Sequence, residues 1–281
     1  MTYCVGLLLN EGMVMLSDTR TNAGLDNIST YRKMFFFEDP GERVIVVMTA
    51  GSLSITQTTM ARLRDAIADP EADETTSILK APTMLKVALI IGDTLRKVRS
   101  EIDDKLATMN QGATASLIVA GQRKGGDMRL FLIYPEGNFI EATEDTPYLQ
   151  IGEHKYGKPI LDRVVKRNTS LADAQKAVLL SMDSTLRSNL SVGMPLDLCL
   201  IEKGRLHGHS AAPDRVRRRQ LSCDERGVEP RASRRLYPDH AVARLRFQRE
   251  RVYAGQIGQQ AQYAGTEHLA FNLIQIKGKP L

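Results

Sequence analysis

The chain opens with Met1-Thr2-Tyr3-Cys4-Val5-Gly6-Leu7-Leu8-Leu9, in which a threonine stands directly before an apolar run typical of a β-strand. Threonine is small enough for the initiator methionine to be removed, which would make Thr2 the first residue of the mature chain. One residue would then carry both a hydroxyl and an α-amine, whose ordinary pKa is about 7.7–8.0. Such an amine accepts a proton near neutral pH, directly or through a water, so this opening predicts an N-terminal nucleophile.

Polar residues flank the apolar runs that follow. Met13–Leu16 leads into Ser17-Asp18-Thr19-Arg20, and Arg32-Lys33 precedes Met34-Phe35-Phe36-Phe37. Further on, Thr49-Ala50-Gly51-Ser52 lies where a fourth strand gives way to a helix. Taken singly, Asp18 also fits a turn residue, Lys33 a solvated strand end and Gly51 a turn glycine. Their combination with an N-terminal threonine favours a catalytic interpretation.

Hydrophobic periodicity predicts runs of strands and runs of helices rather than alternating βαβ units. Strands are expected at 3–9, 12–18, 33–38, 43–50, 114–121, 128–134, 138–141, 147–151 and 196–202. Helices are expected at about 53–68, 79–108, 155–167 and 171–187, the last with a capping box of Ser170 and Asp173. This order predicts an α+β fold in which helices pack on antiparallel sheets.

The net charge of +5 is distributed unevenly along the 281 residues. Of 38 Lys and Arg and 33 Asp and Glu, 15 and 7 lie from Gly204 onward, which leaves 23 and 26 in residues 1–203. The body is therefore slightly acidic, at −3, and offers no electrostatic support for binding nucleic acid.

The cysteines and the hydropathy indicate a protein of the reducing cytoplasm. Cys4 and Cys199 lie in apolar strand patterns and are expected to be small core residues, and with Cys223 they show no metal or disulfide spacing. We expect no signal peptide, no membrane span, no metal and no cofactor.

Several irregular strings resemble the proteasome-type threonine peptidases of the N-terminal-nucleophile hydrolases, and in particular their bacterial ancestral β-subunit-like branch, Anbu. The strings are residues 1–7, 17–24, 29–34, 152–153, 156–163 and 188–198, which begin Met-Thr-Tyr-Cys-Val-Gly-Leu and end Ser-Asn-Leu-Ser-Val-Gly-Met-Pro-Leu-Asp-Leu. The similarity runs from residue 1 to about 205 and then stops.

The resemblance implies a four-layer αββα sandwich and amide hydrolysis through a covalent acyl-enzyme. Thr2 would be the nucleophile, Lys33 would supply positive charge beside it, and Asp18 would orient Lys33. The backbone N–H of Gly51 would bind the oxyanion, and Ser191 would support the site from a later loop. Arg20 would brace the end of the second strand.

The resemblance also places an extended substrate between segments 21–22 and 51–53. Thr21 and Asn22 would line one side, and Leu53 would line the pocket for the side chain before the cleaved bond. Lys33 lies one residue closer to Thr2 than in the main proteasome branch.

The distal support departs from the family pattern in two places. Gly152-Glu153-His154 has no serine where the family commonly has one, and His154 fits either a replacement or an exposed surface residue. Asp183 lies too far before Ser191 to match the family spacing, so we expect it to face elsewhere on its helix.

The expected partners are a peptide or unfolded-protein substrate and further copies of the chain, in a ring or an open helical assembly built on the helix pair at about 53–108. An unfoldase partner is left unspecified, and a membrane or nucleic-acid partner is not expected. Three other functions stay open: a small-molecule amidase on the same fold, a catalytically weak structural ring subunit, and a nucleic-acid-binding protein that uses its basic end.

Residues 1–205 are predicted to form the peptidase domain, and 206–281 a basic, Arg-rich tail with weak apolar periodicity. Three interpretations of the tail remain open. It is a disordered extension, a binding arm for an acidic partner, or an aberrant sequence produced by a frameshift.

Overall fold

In the computed structural model, the described residues are 1–22, 28–106, 113–204, 206 and 217–221. The strands are β1 Tyr3–Leu8, β2 Gly12–Asp18, β3 Arg20–Asn22, β4 Ile28–Thr30, β5 Met34–Asp39, β6 Arg43–Gly51, β7 Ala115–Arg123, β8 Arg129–Ile133, β9 Phe139–Glu141, β10 Tyr148–Gly152, β11 Leu196–Glu202 and β12 Arg217–Leu221. The helices are α1 Leu53–Ala68, α2 Met84–Leu106, α3 Lys158–Val164 and α4 Leu171–Ser188.

Two five-stranded antiparallel sheets form the centre of the fold. The first sheet has the order β10-β1-β2-β11-β12, and the second has the order β5-β6-β7-β8-β9. The short strands β3 and β4 pair separately with each other. The remaining ten described strands all belong to the two five-stranded sheets.

Alternating side chains on each strand create three apolar layers. One layer lies between the two sheets and includes Met15 and Val46. A second layer joins the second sheet to α1 and α2, and a third joins the first sheet to α3 and α4. These layers confirm the predicted α+β fold and give the order α, β, β, α across the molecule.

The predicted core and surface positions agree with this architecture. Cys4 and Cys199 are free, buried thiols in the layer between the sheets, as expected, whereas Cys223 lies outside the described residues. Ser170 caps α4, since its hydroxyl accepts a hydrogen bond from the Asp173 N–H. This hydrogen bond confirms Ser170 as the N-cap of the predicted capping box, and the Asp173 carboxylate accepts a hydrogen bond of 2.9 Å from the Ser170 hydroxyl.

Two helices are shorter than their periodicity predicted. The second was expected from about residue 79 but begins at Met84, because Pro82 precedes it and the Thr83 hydroxyl accepts a hydrogen bond from the Lys86 N–H at 3.1 Å, as a cap does. The third was expected over 155–167 but spans Lys158–Val164, and the chain is extended again at Val165.

Three strands were not predicted. β3 and β4 have three residues each, too few to show a period of two. β12 lies beyond 196–202, which the sequence indicated as the last strand, and it pairs with β11 from Leu196 opposite Leu221 to Leu200 opposite Arg217. Its Arg-Arg-Arg-Gln-Leu sequence has no apolar alternation, so only the backbone pairing identifies it. The rest of the predicted tail, apart from Leu206, lies outside the described residues.

Candidate active site

Thr2 lies at the start of β1, where the first sheet's edge strand β10 ends beside it. Its carbonyl accepts a hydrogen bond of 2.6 Å from the Glu153 N–H, and the residue is only 9% exposed. Gly152 has a positive φ of 84°, and a Cβ there would overlap the Thr2 carbonyl oxygen. Glycine is therefore required at this position, because it alone lets β10 approach the first residues of β1 so closely.

A buried ion pair adjoins this strand start. Lys33 Nζ donates to Asp18 Oδ1 at 2.7 Å and to the Arg20 carbonyl at 2.6 Å. The Tyr3 N–H donates to the same Asp18 oxygen at 3.0 Å. Lys33 precedes β5 in the second sheet and Asp18 ends β2 in the first, so the pair links the two sheets directly beside Thr2.

Burial governs the electrostatics of this pair. It raises the pKa of the Asp18 carboxyl, while the Lys33 ammonium and the N–H groups of Tyr3 and Gly193 oppose that rise by stabilising the carboxylate. Burial also lowers the pKa of the Met1 α-amine, and the Lys33 charge lowers it further. A lysine in this position therefore acts on an amine at the chain start, as well as on Asp18.

Gly51 ends β6 at the strand–helix junction that the sequence predicted. The Ser52 N–H donates to the Thr114 carbonyl on the β7 side, and the Thr49 N–H donates to the Lys33 carbonyl on the β5 side. Because N–H directions alternate along an antiparallel strand, the Gly51 N–H points to the same side as that of Thr49. On that side β5 begins only at Met34, so this N–H is directed towards the Lys33 end of the site. Gly51 has a φ of 108°, which favours glycine.

The loop after α4 covers the other oxygen of Asp18. The Gly193 N–H donates to Asp18 Oδ2 at 3.3 Å. Ser191 is half-buried in the same loop, and its N–H donates to Asn189 Oδ1 at 2.9 Å. Arg20 braces this loop, because its guanidinium donates to the Leu190 carbonyl at 3.0 Å. The structure thus brings the predicted Ser191 segment to Asp18 through the Gly193 backbone.

The contact between Glu153 and Asn189, two polar residues near the site, was not predicted. Glu153 is 8% exposed, and its Oε2 accepts a hydrogen bond of 2.7 Å from Asn189 Nδ2. His154 is exposed, which agrees with the prediction of a surface histidine rather than a replacement for the missing serine. Asp183 pairs with Arg187 on the same helix at 2.9 Å, which agrees with the expectation that it faces elsewhere. A glutamate directly after a glycine gave no pattern by which Glu153 could have been found.

The model of the proteasome subunit family matches residues 2–201, which is more than two thirds of the chain and begins at Thr2. The chain belongs to the proteasome family. Within that family it is similar to solved Anbu structures.

Three of these Anbu structures show how far the similarity extends. The chain is 47% identical to an Anbu (Gly-1) mutant from Hyphomicrobium sp. strain MC1, over 80% of this chain and 88% of that one, with a TM-score of 0.71. Anbu from Yersinia bercovieri is 48% identical over 71% and 82% of the two chains, with a TM-score of 0.65. A structure described as a helical assembly of the Anbu complex, from Pseudomonas aeruginosa, is 47% identical over 73% and 83%, with a TM-score of 0.69. No curated protein matches the chain.

The family match spans β1 to β11 and contains all the predicted substrate-binding positions. Thr21 and Leu53 are half-buried, Thr21 on β3 and Leu53 at the start of α1. Thr21 pairs with Ser29 across the small β3–β4 sheet. Of Asn22 only the backbone is described. Substrate binding by these positions stays a prediction.

The described part of the chain has no group of three or more His, Cys, Asp or Glu residues placed to hold a metal ion. Nor does any helix in the described ranges combine the length and the apolar character needed to cross a membrane.

Proposed function

We propose that this proteasome-family chain is a threonine peptidase whose nucleophile is Thr2, exposed by removal of Met1. The observation that carries the proposal is the shared oxygen of Asp18, which binds both the Lys33 ammonium and the Tyr3 N–H. Through Asp18, the Lys33 charge is held beside Tyr3, the residue that follows Thr2. A purely structural subunit has no need of a buried ion pair there, because removing two charges from water costs about as much as their attraction returns.

The reaction would begin when the Thr2 hydroxyl oxygen attacks the scissile carbonyl and the Thr2 α-amine takes the hydroxyl proton. The Lys33 charge would stabilise the forming alkoxide, and the Gly51 N–H would donate to the oxyanion of the tetrahedral intermediate. Collapse of that intermediate breaks the C–N bond, and the α-ammonium returns the proton to the leaving amine. Water then attacks the Thr2 ester with the α-amine as base, which releases the acid product and restores the hydroxyl.

Retention of Met1 would block this chemistry, because the nitrogen of Thr2 would be an amide. With Met1 present, burial and the Lys33 charge lower the pKa of the Met1 amine, and Asp18 opposes this. A free amine on Thr2 would lie one residue nearer to the Lys33–Asp18 pair, since the next N–H along the chain, that of Tyr3, donates to Asp18. We expect the mature amine to be a neutral base at physiological pH.

The test combines intact mass with turnover of an amide-linked fluorogenic peptide. We expect a mass that lacks Met1, and loss of turnover in Thr2→Ala with an unchanged melting temperature, because only a hydroxyl and a methyl group are removed. Thr2→Ser keeps a hydroxyl and is the matched control, which should retain measurable turnover. Equal turnover of Thr2→Ala and the unsubstituted protein would refute the assignment, and turnover of small amides but not of peptides would favour an amidase.

We further propose that the chain self-associates through α1 and α2. The support is an exposed apolar pair on α2, Leu85 at 38% and Leu89 at 45%, four residues apart on one helix face, together with the assembly of the Pseudomonas aeruginosa relative. Leu85→Glu with Leu89→Glu should shift the protein to smaller species in analytical ultracentrifugation. Leu180→Glu, on α4 and 56% exposed, is the matched control. An active monomer at working concentration would contradict this proposal.

The catalytic unit in this proposal is residues 1–205, since every candidate residue lies within that range. Its substrate would be a peptide or an unfolded protein, which binds in extended form beside segments 21–22 and 51–53. A cytoplasmic location is part of the proposal and is supported by the free thiols of Cys4 and Cys199.

A further inference from the structure

Glu153 has a buried side chain, and its hydrogen bonds link Thr2 to the residue that follows α4. Its N–H donates to the Thr2 carbonyl at 2.6 Å. Its Oε1 accepts from the Lys155 N–H at 2.7 Å, and its Oε2 accepts from Asn189 Nδ2 at 2.7 Å. These side-chain partners are neutral donors, and an apolar side chain would fill the same space without the cost of desolvating a carboxylate. The arrangement therefore needs a reason other than packing.

Asn189 connects Glu153 to the loop that binds Asp18. It follows α4, where its N–H donates to the Thr185 carbonyl at 2.8 Å. Its Oδ1 accepts from the Ser191 N–H at 2.9 Å, so its Nδ2 group is the one that faces Glu153. Two residues after Ser191, the Gly193 N–H donates to Asp18 Oδ2. The Glu153 side chain, 36 residues before Asn189 in sequence, thus holds the residue at which this loop begins.

Four hydrogen bonds and the chain segments between them form a closed path around Thr2. From Thr2 it passes through the Glu153 N–H to the Glu153 carboxylate and then to Asn189. It continues along the loop to Gly193 and Asp18, and it returns through the Tyr3 N–H to the residue next to Thr2. Because hydrogen-bonded networks in a buried setting hold their members in one geometry, a change at Glu153 is expected to move Asp18.

We propose that Glu153 and Asn189 are a positioning pair that sets the orientation of Asp18, and through it of Lys33, relative to Thr2. The inference rests on the proposed peptidase function, which it deepens by adding two residues that do not touch substrate. In this protein the pair takes the place of the distal serine that Gly152-Glu153-His154 lacks.

The donors and acceptors of the pair suggest an exchange experiment. In Glu153→Gln the new amide faces two donors, the Lys155 N–H and Asn189 Nδ2. Its oxygen can accept from only one of them, so in either orientation its NH₂ group lies against the other donor. Asn189 cannot turn to relieve this, because the Ser191 N–H holds its oxygen. In Asn189→Asp two carboxylates face each other. The double variant satisfies every group, since the glutamine NH₂ donates to the aspartate and both remaining oxygens keep their backbone donors.

We expect each single variant to lower kcat by about tenfold or more with KM changed less than about threefold, because positioning acts on the reacting geometry rather than on substrate affinity. The double variant should return kcat to within about threefold of the unsubstituted protein. Glu141→Gln, at the far end of the fold, is the matched control and should leave kcat unchanged. Single variants with full activity, or a double variant no better than the singles, would overturn the proposal.

Crystal structures of the unsubstituted protein, the two single variants and the double variant provide a readout that does not require turnover. The distance from the Gly193 nitrogen to Asp18 Oδ2, 3.3 Å here, should lengthen or the contact should break in both single variants and return in the double variant. If the unsubstituted protein proves inactive and this distance still follows the exchange, the proposed peptidase function fails and the positioning pair stands. An unchanged distance in the single variants would overturn the pair whatever the activity.

Discussion

The two ends of strand β1 place their charges in different surroundings. At the Thr2 end, the side chains of the Lys33–Asp18 ion pair are 7% and 0% exposed. At the Leu8 end, the Arg129–Glu141 pair is 30% and 35% exposed, and two grooves of about 430 and 390 Å³ are lined by residues that include Asn10, Glu144 and Arg167. Both ends have shifted pKa values, but the causes differ: burial raises the pKa of Asp18 at the Thr2 end, whereas the hydrogen bond to Glu141 raises the pKa of Arg129 at the Leu8 end.

The two ion pairs thus differ in burial, and under the proposed function the buried pair is the one that acts on the reacting groups. A charge pair in water is screened, and exposed pairs contribute only about 0–1 kcal/mol to stability. A pair withdrawn from water acts strongly on neighbouring groups, which is the condition for altering the pKa of a nearby amine. Changes at the buried pair are therefore expected to affect turnover most, and changes at the exposed pair least.

Removal of the buried charge should have the largest effect. Lys33→Ala is expected to lower kcat by about 100-fold or more, equivalent to about 2.7 kcal/mol or more in the barrier, because the alkoxide loses its stabilising cation. Lys33→Arg should restore little, since a planar guanidinium presents its charge in another geometry. Lys80→Ala is the matched control: Lys80 also donates to carbonyls, those of Pro70 and Ala72, but away from the site. A fully active Lys33→Arg protein would show that only diffuse positive charge is needed.

The pH dependence of turnover should report the lowered pKa of the amine at the chain start. The amine accepts a proton only when neutral, so turnover is expected to fall about tenfold per pH unit below that pKa. Burial and Lys33 both lower the pKa of the Met1 amine, and we expect them to act in the same direction on the amine of mature Thr2, so the fall should begin below the ordinary value of about 7.7–8.0. In Lys33→Ala one lowering influence is lost, and the remaining activity should fall at a higher pH. Identical pH profiles for the two proteins would contradict an amine base beside Lys33.

Removal of the tail should have a small effect on chemistry. A protein that ends at Arg205 loses β12, but β11 keeps its pairing with β2 from Leu196 opposite Asp18 to Glu202 opposite Gly12. We expect turnover per site within about threefold, or less than about 1 kcal/mol in the barrier, together with a lower melting temperature from the loss of the β11–β12 hydrogen bonds. Loss of soluble protein or a hundredfold fall in turnover would show that β12 is part of the enzyme's folded core.

Disruption of the exposed pair should have the smallest effect. Arg129→Ala removes the ion pair with Glu141 at the Leu8 end and is expected to change stability by about 1 kcal/mol or less. Turnover of the fluorogenic peptide should stay unchanged, because no hydrogen bond joins this pair to Asp18 or Lys33 among the described contacts. A clear loss of turnover without unfolding would mean that the two ends of β1 are coupled.

Much of the site could be predicted because it lies at the ends of locally recognisable strands. β1 and β2 are joined by a short turn, so an apolar pattern of seven to nine residues was enough to place Thr2 before one strand and Asp18 at the end of the next. Lys33 and Gly51 were found in the same way, from the borders of β5 and β6.

The residues that were missed depend on contacts between distant segments. Glu153 follows a glycine at the end of β10, and Asn189 follows α4, so neither has a local pattern that distinguishes it from a solvent-exposed residue. Their contact exists only after α3 and α4 pack on the first sheet. β12 was missed for a related reason: the backbone of β11 determines its pairing, and the arginines that form it show no apolar alternation.

The sequence was enough for the α+β class, for a threonine directly before the first strand and for the identity of the acidic and basic residues near it, because strand periodicity and strand borders are local properties. The tertiary structure alone decided that Lys33 from the second sheet meets Asp18 from the first, and that both are withdrawn from water. Burial of the apolar layer between the sheets supplies the favourable free energy for that contact. The strength of the resulting ion pair depends on its burial. Burial is a property of the packed fold, and no local pattern in the chain encodes it.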